Sequence, residues 1–145
     1  MNTFQSSHIL LVEDNILDVR LTVELLREAK LANRLKVISD GSETMRFLQT
    51  GAGEPGQALP DLVLLDLDLP GAGGREILAM MRETPGLKQI PVFILTSSAT
   101  QREMVQEEAL EADGYLEKPI DLAAFIAAVT SHDRFWLELV AMPHS

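Results

Sequence analysis

The chain has 145 residues, of which 46% are hydrophobic and 23% charged, with no cysteine and a formal net charge of −10. This length suits one domain. No apolar run approaches the roughly 18 residues of a membrane span, and the first residues lack the basic segment of a secretory signal. We therefore expect a cytoplasmic protein. The absence of cysteine excludes disulfides and thiolate chemistry, and the acidic charge argues against nucleic-acid binding, because no basic excess displaces phosphate counterions.

Five apolar runs predict buried strands separated by helices. The runs are His8–Val12, Leu35–Ser39, Leu62–Leu67, Val92–Thr96 and Tyr115–Leu116. Alternating strands and helices are typical of βα units on a parallel sheet. The sequence therefore predicts an α/β fold with a doubly wound, five-stranded parallel sheet of the (βα)5 type over residues 8–131, followed by a C-terminal extension at 132–145.

Apolar side chains at three- and four-residue spacing predict the helices. Asp14 and Asn15 suit an N-cap. The first helix should then present an apolar stripe made of Ile16, Val19, Val23 and Leu26. Similar stripes lie at Met45 and Leu48, at Ile77, Leu78 and Met81, and at Leu122, Phe125, Ile126 and Val129. The segment Gln101–Glu111 is more polar, so we expect the fourth helix to be the most exposed. Glycine and proline between Gln49 and Asp61 predict a surface loop.

Polar residues stand where four of the predicted strands end. Glu13 and Asp14 follow the first strand, Asp66 belongs to the third, Thr96 ends the fourth, and Lys118 follows the fifth. The carboxyl ends of parallel strands share one edge of a sheet, so these residues should meet. An ionised aspartate in the apolar run LVLLD would be costly unless it emerges at that edge with a function.

The charges at this edge predict a metal site beside a phosphoryl acceptor. Two carboxylates about 4 Å apart repel by about 4 kcal/mol at an effective dielectric of about 20. Glu13, Asp14 and Asp66 would therefore favour an oxygen-binding cation such as Mg²⁺. With its charge offset, a carboxylate is a competent nucleophile toward phosphorus. Lys118 can pair with a phosphoryl oxygen or with Asp66, and the Thr96 hydroxyl can bind another oxygen.

Four motifs, ILLVEDN, LVLLDLDLPGAGG, FILTSS and GYLEKPI, resemble those of response-regulator receiver domains, the chemotaxis-type phospho-acceptor module of two-component signalling. The resemblance runs from Ile9 to about Thr130. It implies a flavodoxin-like receiver fold in which Asp66 accepts a phosphoryl group from a histidine kinase and slowly loses it by hydrolysis. The protein would then be a stand-alone signalling protein and not an enzyme with a substrate of its own.

The same resemblance implies a set of metal ligands. Asp14 and Asp66 would bind Mg²⁺ or Mn²⁺ directly, Glu13 through water, and Asp68 through its backbone carbonyl. Two positions depart from the usual pattern. Glu13 stands where the family more often has aspartate, and Gly73 replaces an aspartate that commonly precedes the next glycine.

The resemblance also assigns residues to switching and hydrolysis. Thr96 and Tyr115 match the coupled switch pair of the family, and Lys118-Pro119 matches a junction that is cis in its members. An X-Pro bond makes the cis isomer accessible. Asp68 and Ser98 match positions that flank the path of the attacking water.

Three further segments resemble the single-domain regulators that partner bacterial phytochrome histidine kinases. They are the loop Gly51–Pro60, the GREIL helix start at Gly74–Leu78 and the tail FWLELVAMP at Phe135–Pro143. With no output domain expected, the signal should leave through the fourth helix, fifth strand and fifth helix. The tail carries five large apolar residues, more than a monomer surface usually exposes, so we expect a homodimer through this face and the tail.

Three alternatives remain open at this point. LLDLDLP also resembles the nucleophile motif of haloacid-dehalogenase-type phosphatases, although the acidic pair precedes that strand instead of following it. A flavodoxin-like cofactor binder would need Ser, Thr and Gly in its first loop, where this chain has Glu13-Asp14-Asn15. A scaffolding receiver would usually lack the acceptor or the lysine, and both are present. The histidines, His8, His132 and His144, are too scattered for a metal cluster.

Overall fold

The computed structural model describes residues 7–28, 33–53, 59–67, 69, 71 and 73–130, in which five strands and five helices alternate. The strands are β1 (Ser7–Val12), β2 (Asn33–Ile38), β3 (Leu62–Asp66), β4 (Val92–Thr96) and β5 (Gly114–Glu117). The helices are α1 (Ile16–Glu28), α2 (Gly41–Gly53), α3 (Gly74–Glu83), α4 (Ala99–Gln106) and α5 (Leu122–Thr130). The strands form one parallel sheet in the order β2-β1-β3-β4-β5, which confirms the predicted doubly wound fold.

Apolar layers cover both faces of the sheet, because alternate strand residues point to opposite faces. In β1, Leu10 and Val12 join the layer under α2, α3 and α4, whereas Ile9 and Leu11 join the layer under α1 and α5. Every residue of β3 and β4 is buried. This explains the continuous apolar runs in the sequence, since a strand covered on both faces has no solvent side to carry polar residues.

The predicted loop between Gln49 and Asp61 is wrong over its first part. Helix α2 continues to Gly53, with Leu48 and Gly51 buried. Packing of α2 beside α3 outweighs the low helix propensity of glycine, as tertiary contacts commonly do. Residues 54–58 lie outside the described part of the chain.

The predicted stripe of α1 is also wrong at its first member. Ile16 is 77% exposed, and the residues that α1 buries are Thr22, Leu25 and Leu26. Only three residues separate the end of β1 from the start of α1, so the first turn of α1 stands at the edge of the sheet and only its later turns cover the sheet. Helix α4 buries Val105 alone, in keeping with its polar sequence, and ends at Gln106.

Within the described residues, none of the helices combines the length and apolar character that crossing a bilayer requires.

Candidate functional site

The predicted polar residues meet at the carboxyl edge of the sheet. Asp66 is the last residue of β3 and Thr96 the last of β4. Glu13 and Asp14 follow β1, and Lys118 follows β5. The parallel order of these four neighbouring strands brings the residues together from positions up to 105 apart in sequence.

Three carboxylates form a compact group there. Glu13, Asp14 and Asp66 each contribute one oxygen, and the three oxygens lie within 4.8 Å of one another. Glu13 and Asp66 are 1% and 5% exposed, whereas Asp14 is open to solvent. Clustered carboxylate oxygens, one of them accessible, are a donor set that fits a hard divalent cation.

Burial and charge repulsion both raise the pKa of Glu13. Burial raises the pKa of Glu13 to about 7, and the charge of Asp66 adds to the rise. Two contacts oppose this rise in pKa. The backbone N–H of Asn15 donates to Glu13 Oε2 at 3.1 Å, and the Lys118 ammonium lies 3.1 Å from Glu13 Oε1. The ionised form is therefore costly in the absence of a further positive charge.

Lys118 supplies one positive charge to this group. Its Nζ lies 3.0 Å from Asp18 Oδ2, 3.1 Å from Glu13 Oε1 and 3.6 Å from Asp66 Oδ2. Burial alone would lower the pKa of Lys118, but the hydrogen bonds to Asp18 and Glu13 and the charges of Asp66 and Glu13 outweigh burial and raise it. The backbone N–H of Lys118 donates to the Thr96 carbonyl at 2.7 Å, and the Lys118-Pro119 bond is cis, as expected.

Asp18 is a site residue that the sequence interpretation missed. It lies in the first turn of α1, and its carboxylate makes one of the two shorter contacts with Lys118. The sequence does contain a signal for it. Asp18 is three residues after Asn15, the predicted N-cap whose Oδ1 accepts the Asp18 backbone N–H, and this spacing places Asp18 in the first turn of the helix that follows β1.

The loop after the acceptor is shaped by Gly74. A Cβ at this position would lie 2.6 Å from Leu67 Cα and 2.7 Å from the Asp66 carbonyl oxygen, so a side chain would push α3 away from the acceptor. Gly73 has extended backbone as the N-cap of α3, and its N–H donates to Glu76 Oε1 at 2.9 Å. The glycine at position 73 is thus compatible with a normal helix start.

The predicted switch pair lies beside the fourth and fifth strands. Thr96 is buried, and its hydroxyl makes a long hydrogen bond of 3.4 Å to the Leu116 carbonyl. Tyr115 is half-buried, and burial together with the charge of Glu108 raises its pKa. Ser98 caps α4 by accepting the Gln101 amide at 3.1 Å.

Several predicted residues are not part of this geometry. Asp68, His132, His144 and the whole extension at 132–145 lie outside the described residues. His8 is on β1, and its N–H donates to Asp61 Oδ2 at 2.8 Å, at the opposite edge of the sheet.

Comparison with known proteins identifies relatives over nearly the whole chain. The sequence profile of the response regulator receiver domain matches residues 9–130. Response regulator Rcp1 of Synechocystis sp. is 38% identical over 135 residues, which are 93% of this chain and 92% of Rcp1.

Solved structures give the same picture. The bacteriophytochrome response regulator RtBRR superposes with a TM-score of 0.83 at 33% identity, covering 97% of this chain and 84% of that chain. A phosphorylated cyanobacterial phytochrome response regulator, RcpA, gives 0.71 at 34% identity, with 97% and 100% covered. The Mn(2+)-bound form of Rcp1 gives 0.69 at 38% identity, with 95% and 99% covered.

Proposed function

Because the chain belongs to the response regulator receiver domain family, we propose that Asp66 accepts a phosphoryl group from a histidine kinase. The protein is a receiver-domain response regulator, which makes it a signalling protein. The proposal depends on one observation, the cluster of three carboxylates formed by Glu13, Asp14 and Asp66. Lys118 lies between two of them, those of Glu13 and Asp66.

In the proposed transfer, a carboxylate oxygen of Asp66 attacks the phosphorus of a phosphohistidine. The new P–O bond forms as the P–N bond breaks, and the electron pair of that bond remains on the imidazole nitrogen. Lys118 lies within 3.6 Å of the acceptor, close enough to pair with a phosphoryl oxygen. The Thr96 hydroxyl, whose hydrogen bond to the Leu116 carbonyl is long at 3.4 Å, can turn toward another oxygen.

Loss of the phosphoryl group completes the proposed cycle. Water attacks the phosphorus, inorganic phosphate leaves, and the Asp66 carboxylate is restored. We assign Asp68 and Ser98 to the path of this water. Asp68→Asn should change the rate of dephosphorylation more than it changes the stability, and equal rates for variant and parent would remove that assignment.

We propose Mg²⁺ or Mn²⁺ as the cofactor. Asp14 and Asp66 would hold it directly, Glu13 through water and Asp68 through its backbone carbonyl. When bound, the ion supplies the positive charge that offsets the carboxylates and the incoming phosphoryl group. The oxygen cluster supports this assignment, as does the Mn(2+)-bound form of the similar Rcp1.

Thr96 and Tyr115 are the proposed link between the acceptor and the face formed by α4, β5 and α5. Movement of the Thr96 hydroxyl toward the phosphoryl group would open space that the Tyr115 ring enters, which shifts a population of conformations. Thr96→Ala should still be phosphorylated but lose most of the change in partner affinity. An unaltered response in this variant would refute the link.

The kinase that we propose is a bacterial phytochrome, in the cytoplasm. The names of RtBRR and RcpA, which describe phytochrome response regulators, support this choice. The haloacid-dehalogenase and flavodoxin alternatives lose their support, because the receiver family matches residues 9–130 as a whole.

We also propose a homodimer formed by α4, β5, α5 and the tail at 132–145. Met104, an apolar side chain of α4 that is 64% exposed, supports a contact on this face. Light scattering should show a dimer for the full chain and a monomer after truncation at Thr130. A monomeric full chain, with and without beryllofluoride, would exclude the dimer.

The test of the function is a phosphotransfer profile. Each histidine kinase of the source organism is first autophosphorylated and then mixed with the protein or with Asp66→Asn. We expect rapid transfer from one kinase to the parent and none to the variant. Absence of transfer from every kinase and every small-molecule donor would favour the scaffolding receiver instead.

A further inference from the structure

One ion pair at the carboxyl edge has no role in the transfer chemistry described above. The Lys118 ammonium lies 3.0 Å from Asp18 Oδ2 but 3.6 Å from Asp66 Oδ2. The first distance is within hydrogen-bonding range and the second is not. The lysine that should serve the acceptor is therefore bound more closely to a carboxylate on α1.

The backbone of Asp18 is fixed on both sides. Its N–H donates to Asn15 Oδ1 at 2.9 Å, and its carbonyl accepts the Thr22 hydroxyl at 2.8 Å. Thr22 itself is 4% exposed. Aspartate has a short side chain, whereas lysine carries its charge on a flexible four-carbon stem. If the ion pair opens, Lys118 is the partner that moves.

We propose that Asp18 is a positioning residue that restrains Lys118. It holds the ammonium away from Asp66 in the resting protein and competes for it with an oxygen of the incoming phosphoryl group. The inference rests on the proposed function, since it concerns the affinity of the same site for that group.

Two consequences of removing the Asp18 charge act in the same direction. Lys118 loses its shortest ion pair, keeps its contact of 3.1 Å with Glu13 Oε1, and is less restrained from pairing with an anion bound at Asp66. The negative charge that faces such an anion also falls by one. Asp18→Asn should therefore bind a phosphoryl analogue more tightly than the parent, provided that the divalent ion is saturating.

The experiment is a titration of the full-length protein with beryllofluoride in saturating Mg²⁺, followed by ¹⁹F NMR. The variants are Asp18→Asn, Asp18→Ser and Asp18→Glu, and serine suits the first turn of a helix if asparagine disturbs folding. The matched control is Glu117→Gln. Glu117 is exposed and precedes Lys118 in sequence, and the ion pairs of Lys118 within the described residues are with Glu13, Asp18 and Asp66.

We expect Asp18→Asn and Asp18→Ser to bind beryllofluoride about threefold more tightly than the parent. A change of this size corresponds to the strength of a partly exposed ion pair. Asp18→Glu and Glu117→Gln should stay within about twofold of the parent. The ¹⁵N resonance of Lys118 Nζ should shift in Asp18→Asn and not in Glu117→Gln. A general effect of removing one negative charge would instead shift this resonance in both variants.

The outcomes separate this inference from the function on which it rests. If the parent does not bind beryllofluoride with Mg²⁺, the proposed function fails. If the parent binds but Asp18→Asn and Asp18→Ser bind equally well or less well, the restraint is overturned and the function stands. Equal tightening in Glu117→Gln would likewise overturn the restraint.

Discussion

The two edges of the central sheet each hold a partly buried, positively charged side chain. At the amino edge one carboxylate balances this charge, whereas at the carboxyl edge several carboxylates surround it. At the amino edge, the Arg82 side chain is 13% exposed and pairs with Asp113 at 2.8 Å. Its remaining hydrogen bonds go to uncharged groups, the backbone carbonyls of Lys88, Ile90 and Glu111. Asp113 also accepts the Val92 amide at 2.7 Å and so joins β4 to the start of β5.

At the carboxyl edge, the Lys118 side chain is 14% exposed and contacts three carboxylates, those of Glu13, Asp18 and Asp66. Asp14 adds a fourth carboxylate close by. A matched, partly buried pair joins elements of the fold, whereas an excess of carboxylates is repulsive until a further cation arrives. The balance of charge, and not burial alone, therefore separates the structural edge from the functional one.

Among the substitutions considered, we expect the greatest loss of stability at the amino edge. Arg82→Ala removes the cation that lies 2.8 Å from Asp113 and the donor to three backbone carbonyls, so we expect a loss of about 2–4 kcal/mol in the free energy of unfolding. Urea unfolding measures the loss. Arg82→Lys keeps the charge without the planar donor group, so its free energy of unfolding should lie between those of Arg82→Ala and the parent. A loss below about 1 kcal/mol would show that this cluster is not a structural anchor.

The next effect concerns pH at the carboxyl edge. The folded-state pKa of Glu13 is raised from its ordinary 4.5 to about 7, so its contribution to stability is full below 4.5 and is lost as pH rises through 7. Glu13→Gln does not titrate. In metal-free buffer, the unfolding free energy of the parent minus that of Glu13→Gln should fall by about 1–3 kcal/mol over this range.

Urea titrations at closely spaced pH values measure this difference, in which the titration of other groups largely cancels. Saturating Mg²⁺ should flatten the fall, because a bound cation favours the ionised carboxylate. A difference that is constant, or that rises with pH, would contradict the view that charge at this edge is in excess.

Most of the fold and most of the site were predictable, because both depend on short segments. LVLLD and VFILT read as buried strands because both of their faces are covered, and parallel order then places Asp66 and Thr96 on one edge. The ion pair of Asp18 with Lys118 was not predictable in this way. It joins side chains from α1 and the end of β5, and its geometry depends on how both are packed.

The other differences have similar causes. Glycine in Gln49–Gly53 indicates a loop locally, but packing keeps these residues helical. Ile16 fits an apolar stripe by spacing, yet periodicity does not tell where along a helix the covered sheet begins.

We expect a much weaker effect on stability from a third ion pair, Arg75 with Glu108. Arg75 binds Glu108 through two contacts of 2.7 Å, a geometry at least as good as that of Arg82 with Asp113. Its side chains are 48% and 37% exposed, so solvent already stabilises both charges. Arg75→Ala should shift the urea midpoint far less than Arg82→Ala does. Equal shifts would mean that burial is not what makes the amino-edge cluster important.

Two aspartates at opposite ends of β3 show whether the carboxyl edge is a phosphoryl acceptor completed by a divalent cation. Asp66 ends this strand, and Asp61, which precedes it at the opposite edge, accepts the His8 amide at 2.8 Å. The parent, Asp66→Asn and Asp61→Asn are each incubated with acetyl phosphate and Mg²⁺, with and without a chelator, and analysed by intact-mass spectrometry. We expect one added phosphoryl group in the parent and in Asp61→Asn, and none in Asp66→Asn or in any sample with chelator. Labelling of Asp66→Asn equal to that of the parent, or labelling undiminished by the chelator, would contradict this expectation.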